Sequence, residues 1–202
     1  MPRIAPLPRS KFGPTARITD RVIRRMVGGS IEGTGIYART PALLRATGGM
    51  ERYFLGRRRA VPHRTFELVA LRAAMEVGCS FCIDMGSYMA GAKHGVSAEQ
   101  LRALDDPAGS GLFEPAEVVA LELAARMTAT PPAVDDALWA RVREHYDEEQ
   151  QLELVTMIGW ENFRARTNAA LEVESHGFAP VGACAVATRH ASAGEPLTAP
   201  IS

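Results

Sequence analysis

The chain has little of what marks a secreted or membrane protein. Only three cysteines occur in 202 residues, too few to staple a small extracellular scaffold. No apolar run approaches the roughly 20 residues that cross a bilayer. The opening stretch, MPRIAPLPRSKFGPTARI, sets prolines and arginines where a secretory signal would carry its apolar segment. An excess of one charge is missing too, because 23 basic side chains balance 23 acidic ones. That balance gives no support to nucleic acid or a membrane surface as a partner. These absences predict a cytoplasmic protein.

Strand signals are scarce as well, whereas a 3.6-residue apolar period recurs through most of the chain, so the expected fold is all-α. With 47% hydrophobic residues the length suits one domain with a substantial core. Residues 1–18 read as an N-terminal arm, 19–178 as the helical domain, and 179–202 as an irregular tail rich in small residues. Residues 1–25 hold seven positive charges against the single acid Asp20. An organelle leader can look like this, but Pro2, Pro6, Pro8 and Pro14 spoil an amphipathic helix. An arm lying on the body or on a neighbouring subunit is the better reading. Helix borders are legible further on: Pro62 and His63 open one helix and Gly78 ends it. The next runs to Lys93 and stops at Gly95, and Ser97 caps another. A long amphipathic helix is expected from Glu148 to Glu174, after a linker at 105–115.

The stretch EVGCSFCIDMGSYMAGAKHG, residues 76–95, carries the chemistry. Cys79 and Cys82 stand at a helix N-terminus, where unpaired N–H groups and the positive end of the helix dipole favour thiolate over thiol. Sulfurs in C-x-x-C on a first helical turn can join and part with little backbone movement. Two other readings stay open at this point. Both cysteines could be small buried apolar residues, or they could supply half of a zinc site, although His63, His94, His145 and His176 are scattered singly.

The segment 67–104 resembles the carboxymuconolactone decarboxylase superfamily and, within it, the alkylhydroperoxidase D-like proteins. The likeness rests on Glu67 twelve residues before Cys79, on Gly78 immediately before it, on the C-x-x-C, and on a glycine ending the cysteine helix. The stretch ENFRARTNAALEVESHGF, 161–178, looks like the closing helix of such proteins, so the resemblance spans about residues 40–178. It implies an all-α helical bundle that assembles as a trimer or hexamer and acts as a thiol-dependent peroxidase or disulfide reductase. By position, Cys82 would be oxidised by a hydroperoxide to a sulfenic acid, and Cys79 would supply a proton and close the disulfide. Glu67 would serve as acid/base. A thiol electron donor would regenerate the pair, and no flavin, metal or other cofactor is implied beyond the redox-active disulfide.

One departure bears on this. Relatives carry histidine four residues after the second cysteine, and here Gly86 stands there. Glu67 lies roughly 15 Å back from the interhelix turn at 1.5 Å per residue, so it should face positions 86–89 and not the sulfurs. An intermediary is then expected: water in the space left at Gly86, the hydroxyl of Ser87 or Tyr88, or a histidine delivered by another helix or subunit. Asp84 reads either as a local base or as an acid suited to the first turn of a helix. His94 reads either as a relay or pocket residue or as a partner for the terminal carbonyls of its helix. Trp160 could wall a pocket or fill the core. Asn162 and Arg166, one turn apart, could line a pocket or an interface. The rival functions are a decarboxylase or lactone-processing enzyme, for which the cysteines are dispensable, and a non-enzymatic redox-responsive binding protein.

Overall fold

The computed structural model describes residues 1–56 and 59–179. Among them the regular structure is helical, with α1 (Pro14–Val27), α2 (Glu32–Tyr37), α3 (Pro41–Phe54), α4 (His63–Val77), α5 (Ser80–His94), α6 (Ala98–Arg102), α7 (Pro107–Ser110), α8 (Pro115–Thr128), α9 (Asp136–His145) and α10 (Glu148–Ala170). No helix of the described residues is long and apolar enough to cross a membrane.

The broad apolar surface of α4 explains its central place. Leu68, Leu71 and Met75 pack against Ile83 and Ala90 of α5, in a cluster that also holds Cys79 and Cys82. Phe66, Val69, Ala70 and Ala73 pack instead with Val119, Ala120 and Leu123 of α8 and with Leu154, Met157 and Ile158 of α10. Each large side chain so buried contributes about 1.5–3 kcal/mol. A helix with apolar groups on two faces is therefore driven between neighbours, and α4 packs on α5, α8 and α10 together. The turn from α4 to α5 needs a left-handed residue, which Gly78 supplies at φ 78°. The α5 helix stops at Gly95, φ 69°.

A buried carboxylate fixes the approach to α4. Glu153 of α10 is buried, and it accepts the Tyr53 hydroxyl at 2.6 Å and the N–H groups of Ala60 and Val61, each at 2.9 Å. Those amides lie just ahead of α4, where no helical partner exists for them.

The N-terminal expectation needs a correction of boundary. The first helix begins at Pro14, with proline in the first turn where its missing N–H costs nothing, so the arm ends before that residue and not at 18. The arm lies on the body. Leu7 N–H donates to Gly35 O at 3.0 Å, and a Cβ at Gly35 would stand 2.6 Å from Pro6 Cβ. Phe12 and Ala16 join Ala38 and Leu44 in a small core of their own. At the far end α10 stops at Ala170, earlier than Glu174, and the chain continues to Ala179 as a strap without regular secondary structure. The remainder of the expected tail, including Cys184, lies outside the described residues.

Candidate redox site

Cys79 is the N-cap of α5 and Cys82 stands in its first turn. The two are joined as a disulfide with Cα atoms 5.3 Å apart, an ordinary separation for such a bond. The Cys79 sulfur also accepts the Cys82 N–H at 3.2 Å, so one of the helix-end donors is directed at the pair. Both residues are buried, Cys82 at 9% exposure and Cys79 at 2%. A cleft of about 400 Å³ opens beside Cys79, lined also by Gly78, Ser80, Ala169, Val173 and Glu174.

The last turn of α10 forms the other wall. From it Asn168 directs its amide N–H at Cys82 Sγ, 3.4 Å away. The N-terminal arm caps this turn, as Arg3 N–H donates to Leu171 O at 2.8 Å and its guanidinium to Ala170 O at 3.1 Å. Sequence reading passed over Asn168 as a site residue. The only available signal was a polar side chain near the end of a long amphipathic helix, 86 positions from the cysteine it touches.

Asp84 does neither thing expected of it. Its buried carboxylate accepts four hydrogen bonds from the strap: Ser175 hydroxyl at 2.8 Å, His176 N–H at 3.1 Å, Phe178 N–H at 3.0 Å and Ala179 N–H at 2.8 Å. Burial alone would push this carboxyl up, but the strap donors, Ala179 and Phe178 foremost, outweigh burial and hold it below its ordinary range. A carboxylate so engaged is an anchor and is a poor proton acceptor. The strap also sets His176 edge-on to Phe81 and Phe178 against Tyr88.

Glu67 faces the far end of α5 from the cysteine pair. His94 Nε2 lies 3.7 Å from Glu67 Oε1. His94 stands twelve residues beyond Cys82 on the same helix, roughly 18 Å of rise. His94 thus meets a carboxylate and the ring of His63, stacked at 5.4 Å, instead of serving only its helix end. Burial, then His63 and Arg59, hold His94 below its ordinary value, so the contact with Glu67 is not an ion pair at neutral pH. Burial raises the Glu67 carboxyl, against the pull of Arg164 and Arg59. No vacancy exists at Gly86: a Cβ there would sit 3.2 Å from Leu71 Cδ1. Ser87 donates to Ile83 O at 2.6 Å, and Tyr88 packs on Phe178.

Trp160 and Asn162 are likewise remote from the sulfurs. Trp160 donates to Glu51 at 3.1 Å and stacks on Phe163. Arg164 joins Glu51 to the buried Glu161. Burial pushes the Glu161 carboxyl up to about 7 in spite of that guanidinium. Asn162 donates to the Thr128 hydroxyl at 2.8 Å, and Arg166 to Thr128 O at 2.9 Å, so this pair ties α10 to the end of α8. Among the described residues no three His, Cys, Asp or Glu side chains gather as they would around a metal ion.

Residues 40–126, which span α3 to α8 and enclose the cysteine pair, match the carboxymuconolactone decarboxylase family. A Bacillus subtilis (strain 168) protein, YdfG, is 37% identical over 123 residues, covering 60% of this chain and 82% of that one. The chain belongs to the carboxymuconolactone decarboxylase family. YnjA of Escherichia coli (strain K12) is 39% identical over 110 residues, 54% of this chain and 60% of YnjA. The match therefore spans less than two thirds of that relative. Among solved structures, the debrominase Bmp8 superimposes with TM-score 0.79 at 22% identity, covering 93% of this chain and 97% of that one. A peroxidase-related protein from Ralstonia eutropha JMP134 with an alkylhydroperoxidase D core gives 0.73 at 14%, covering 87% and 96%. At these identities the common property is the fold. The carboxymuconolactone decarboxylase fold thus supplies an all-α frame for the pair.

Proposed function

We propose that the protein is a thiol–disulfide oxidoreductase that reduces hydroperoxides through Cys79 and Cys82. The observation that carries this reading is the pair itself: two cysteines on the first turn of α5, close enough to be bonded, each sulfur accepting an N–H, beside an open cleft. Cys82 is the nucleophile, being the more exposed of the two. Its thiolate attacks the peroxide, the O–O bond breaks, and the alkoxide leaves and takes a proton, so that Cys82 becomes a sulfenic acid. Cys79 then displaces hydroxide, which leaves as water, and the disulfide forms. Two equivalents of a donor thiol restore the dithiol and leave as their own disulfide. Glu67 has no part in this scheme, because its partner His94 lies at the other end of α5.

Hydroperoxide is the substrate class proposed, a protein or small thiol is the electron donor, and the working unit is a homo-oligomer in the cytoplasm. The same pair could serve another two-electron acceptor. With a C–Br bond the balance is R–Br plus two thiols to R–H, disulfide and HBr, and the likeness to a debrominase makes bromopyrroles the second acceptor to assay.

The test is peroxide-dependent turnover with a dithiol donor, run with Cys82→Ser and Cys79→Ser. Both variants should lose turnover, and Cys79→Ser alone should accumulate a sulfenic acid that dimedone traps. Catalysis that survives both substitutions would transfer the chain to the cysteine-independent decarboxylase or lactone class. A disulfide that forms once and never turns over would make the protein a redox-responsive binder.

A further inference from the structure

A buried sulfur that must carry negative charge needs donors. The α5 helix offers Cys82 little from its own side chains, since it carries no histidine, lysine or arginine before Lys93. Its one acid, Asp84, is held by the strap. The N–H of Cys82 is spent on Cys79 Sγ. What reaches Cys82 Sγ is the amide of Asn168, from the last turn of α10.

We propose that Asn168 is a catalytic residue of this site, whose N–H holds Cys82 as thiolate in the reduced protein and receives it as leaving group when the disulfide is opened. The inference rests on the redox reading of the pair given above. In the opening step a donor thiolate attacks Cys79 Sγ and forms a mixed disulfide. The Cys79–Cys82 bond breaks, and its electron pair goes to Cys82 Sγ, against the Asn168 amide. A second donor thiol releases Cys79 and departs as the donor disulfide.

The chemistry of the amide suits the task. A disulfide sulfur is a weak acceptor and a thiolate a strong one, so this hydrogen bond strengthens as charge develops on Cys82. Asparagine does not titrate, so its donor stays in place across the pH range in which a thiol ionises. Its position is held on both sides. Asn168 O accepts Val173 N–H at 3.0 Å, closing the helix end, and Arg3 holds the next two carbonyls, Ala170 and Leu171. The buried Val173 packs into the same cluster as both cysteines.

Peptide-resolved iodoacetamide alkylation of the fully reduced protein over a pH series reads the Cys82 midpoint without any peroxide. Asn168→Ala should raise that midpoint by about one pH unit, a roughly tenfold loss of thiolate below it. Asn168→Asp keeps the shape but sets a carboxylate against the sulfur, and should raise it further. Asn168→Gln retains an amide and should lie nearest the parent. A side chain that merely packs would give one midpoint for all four proteins, and that result on folded samples overturns the proposal. If Asn168→Ala fails to fold, the order of parent, Gln and Asp decides in the same way. A midpoint that follows residue 168 in a protein without hydroperoxide turnover would leave this inference standing and remove the proposed function. Turnover with a midpoint indifferent to residue 168 would do the reverse.

Discussion

At Gly86 the absence of a side chain is a packing requirement. Leu71 is 1% exposed and its Cδ1 would lie 3.2 Å from a Cβ built on Gly86, with its Cβ at 3.6 Å. A leucine so buried in a close-packed core gives way only by disturbing its neighbours. Gly86→Ala should therefore lower stability by about 1–3 kcal/mol despite the better helix propensity of alanine. Gly86→His should cost more, because an imidazole would have to part α4 from α5. Urea unfolding measures both, and an unchanged midpoint for Gly86→His would show that the two helices separate easily. Grafting the histidine found in relatives is consequently no route to a faster enzyme here.

The strap that follows α10 is an element made by one carboxylate. Four donors converge on Asp84, and replacing its charge leaves them with a single neutral acceptor oxygen. Asp84→Asn should cost about 2 kcal/mol at neutral pH and expose the bonds around Ser175–Ala179 to limited proteolysis. The sign of the pH dependence follows from the lowered folded pKa. Unfolded, the carboxyl has its ordinary value of 3.8 and binds protons first, so the stabilisation is fully present above that pH. It is lost as pH falls through the lower folded value. The gap between parent and variant should accordingly stay constant from neutral to mildly acidic pH and close only below about 4. A gap that closes between pH 5 and 7 would mean that another group holds the strap.

For the whole molecule the exposed apolar groups matter most. Leu152 is 69% exposed and Phe163, stacked on Trp160, is 42% exposed. Eleven residues apart on α10, they lie three turns along one face. Ile18 and Val22 form a further exposed pair one turn apart on α1. Apolar surface grouped in this way is what a subunit contact covers, and it supports the homo-oligomer proposed above. Leu152→Asp with Phe163→Asp should shift sedimentation from oligomer to monomer and leave the α4 core intact. A parent protein that sediments as a monomer at micromolar concentration would remove the proposed assembly.

The helical frame and the location of the chemistry were legible in the sequence because both depend on short-range rules. Apolar period, Gly78, Gly95 and the Ser97 cap act over a few residues, and C-x-x-C on a first turn brings its own sulfurs together. Even the boundary error at α1 is local: proline at position 14 opens a helix as well as it breaks one. The partners of those sulfurs were not legible, because α10 joins them from across the chain. Which of its polar side chains meets Cys82 is set by how its last turn is capped, and the arm does that through Arg3. Asp84 looked like an ordinary helix acid until the strap folded back on it. Glu67 shows the same limit from the other side. Its spacing from Cys79 is that of relatives, but the packing of α4 on α5 sets its carboxylate beside His94, while Leu71 packs against Gly86.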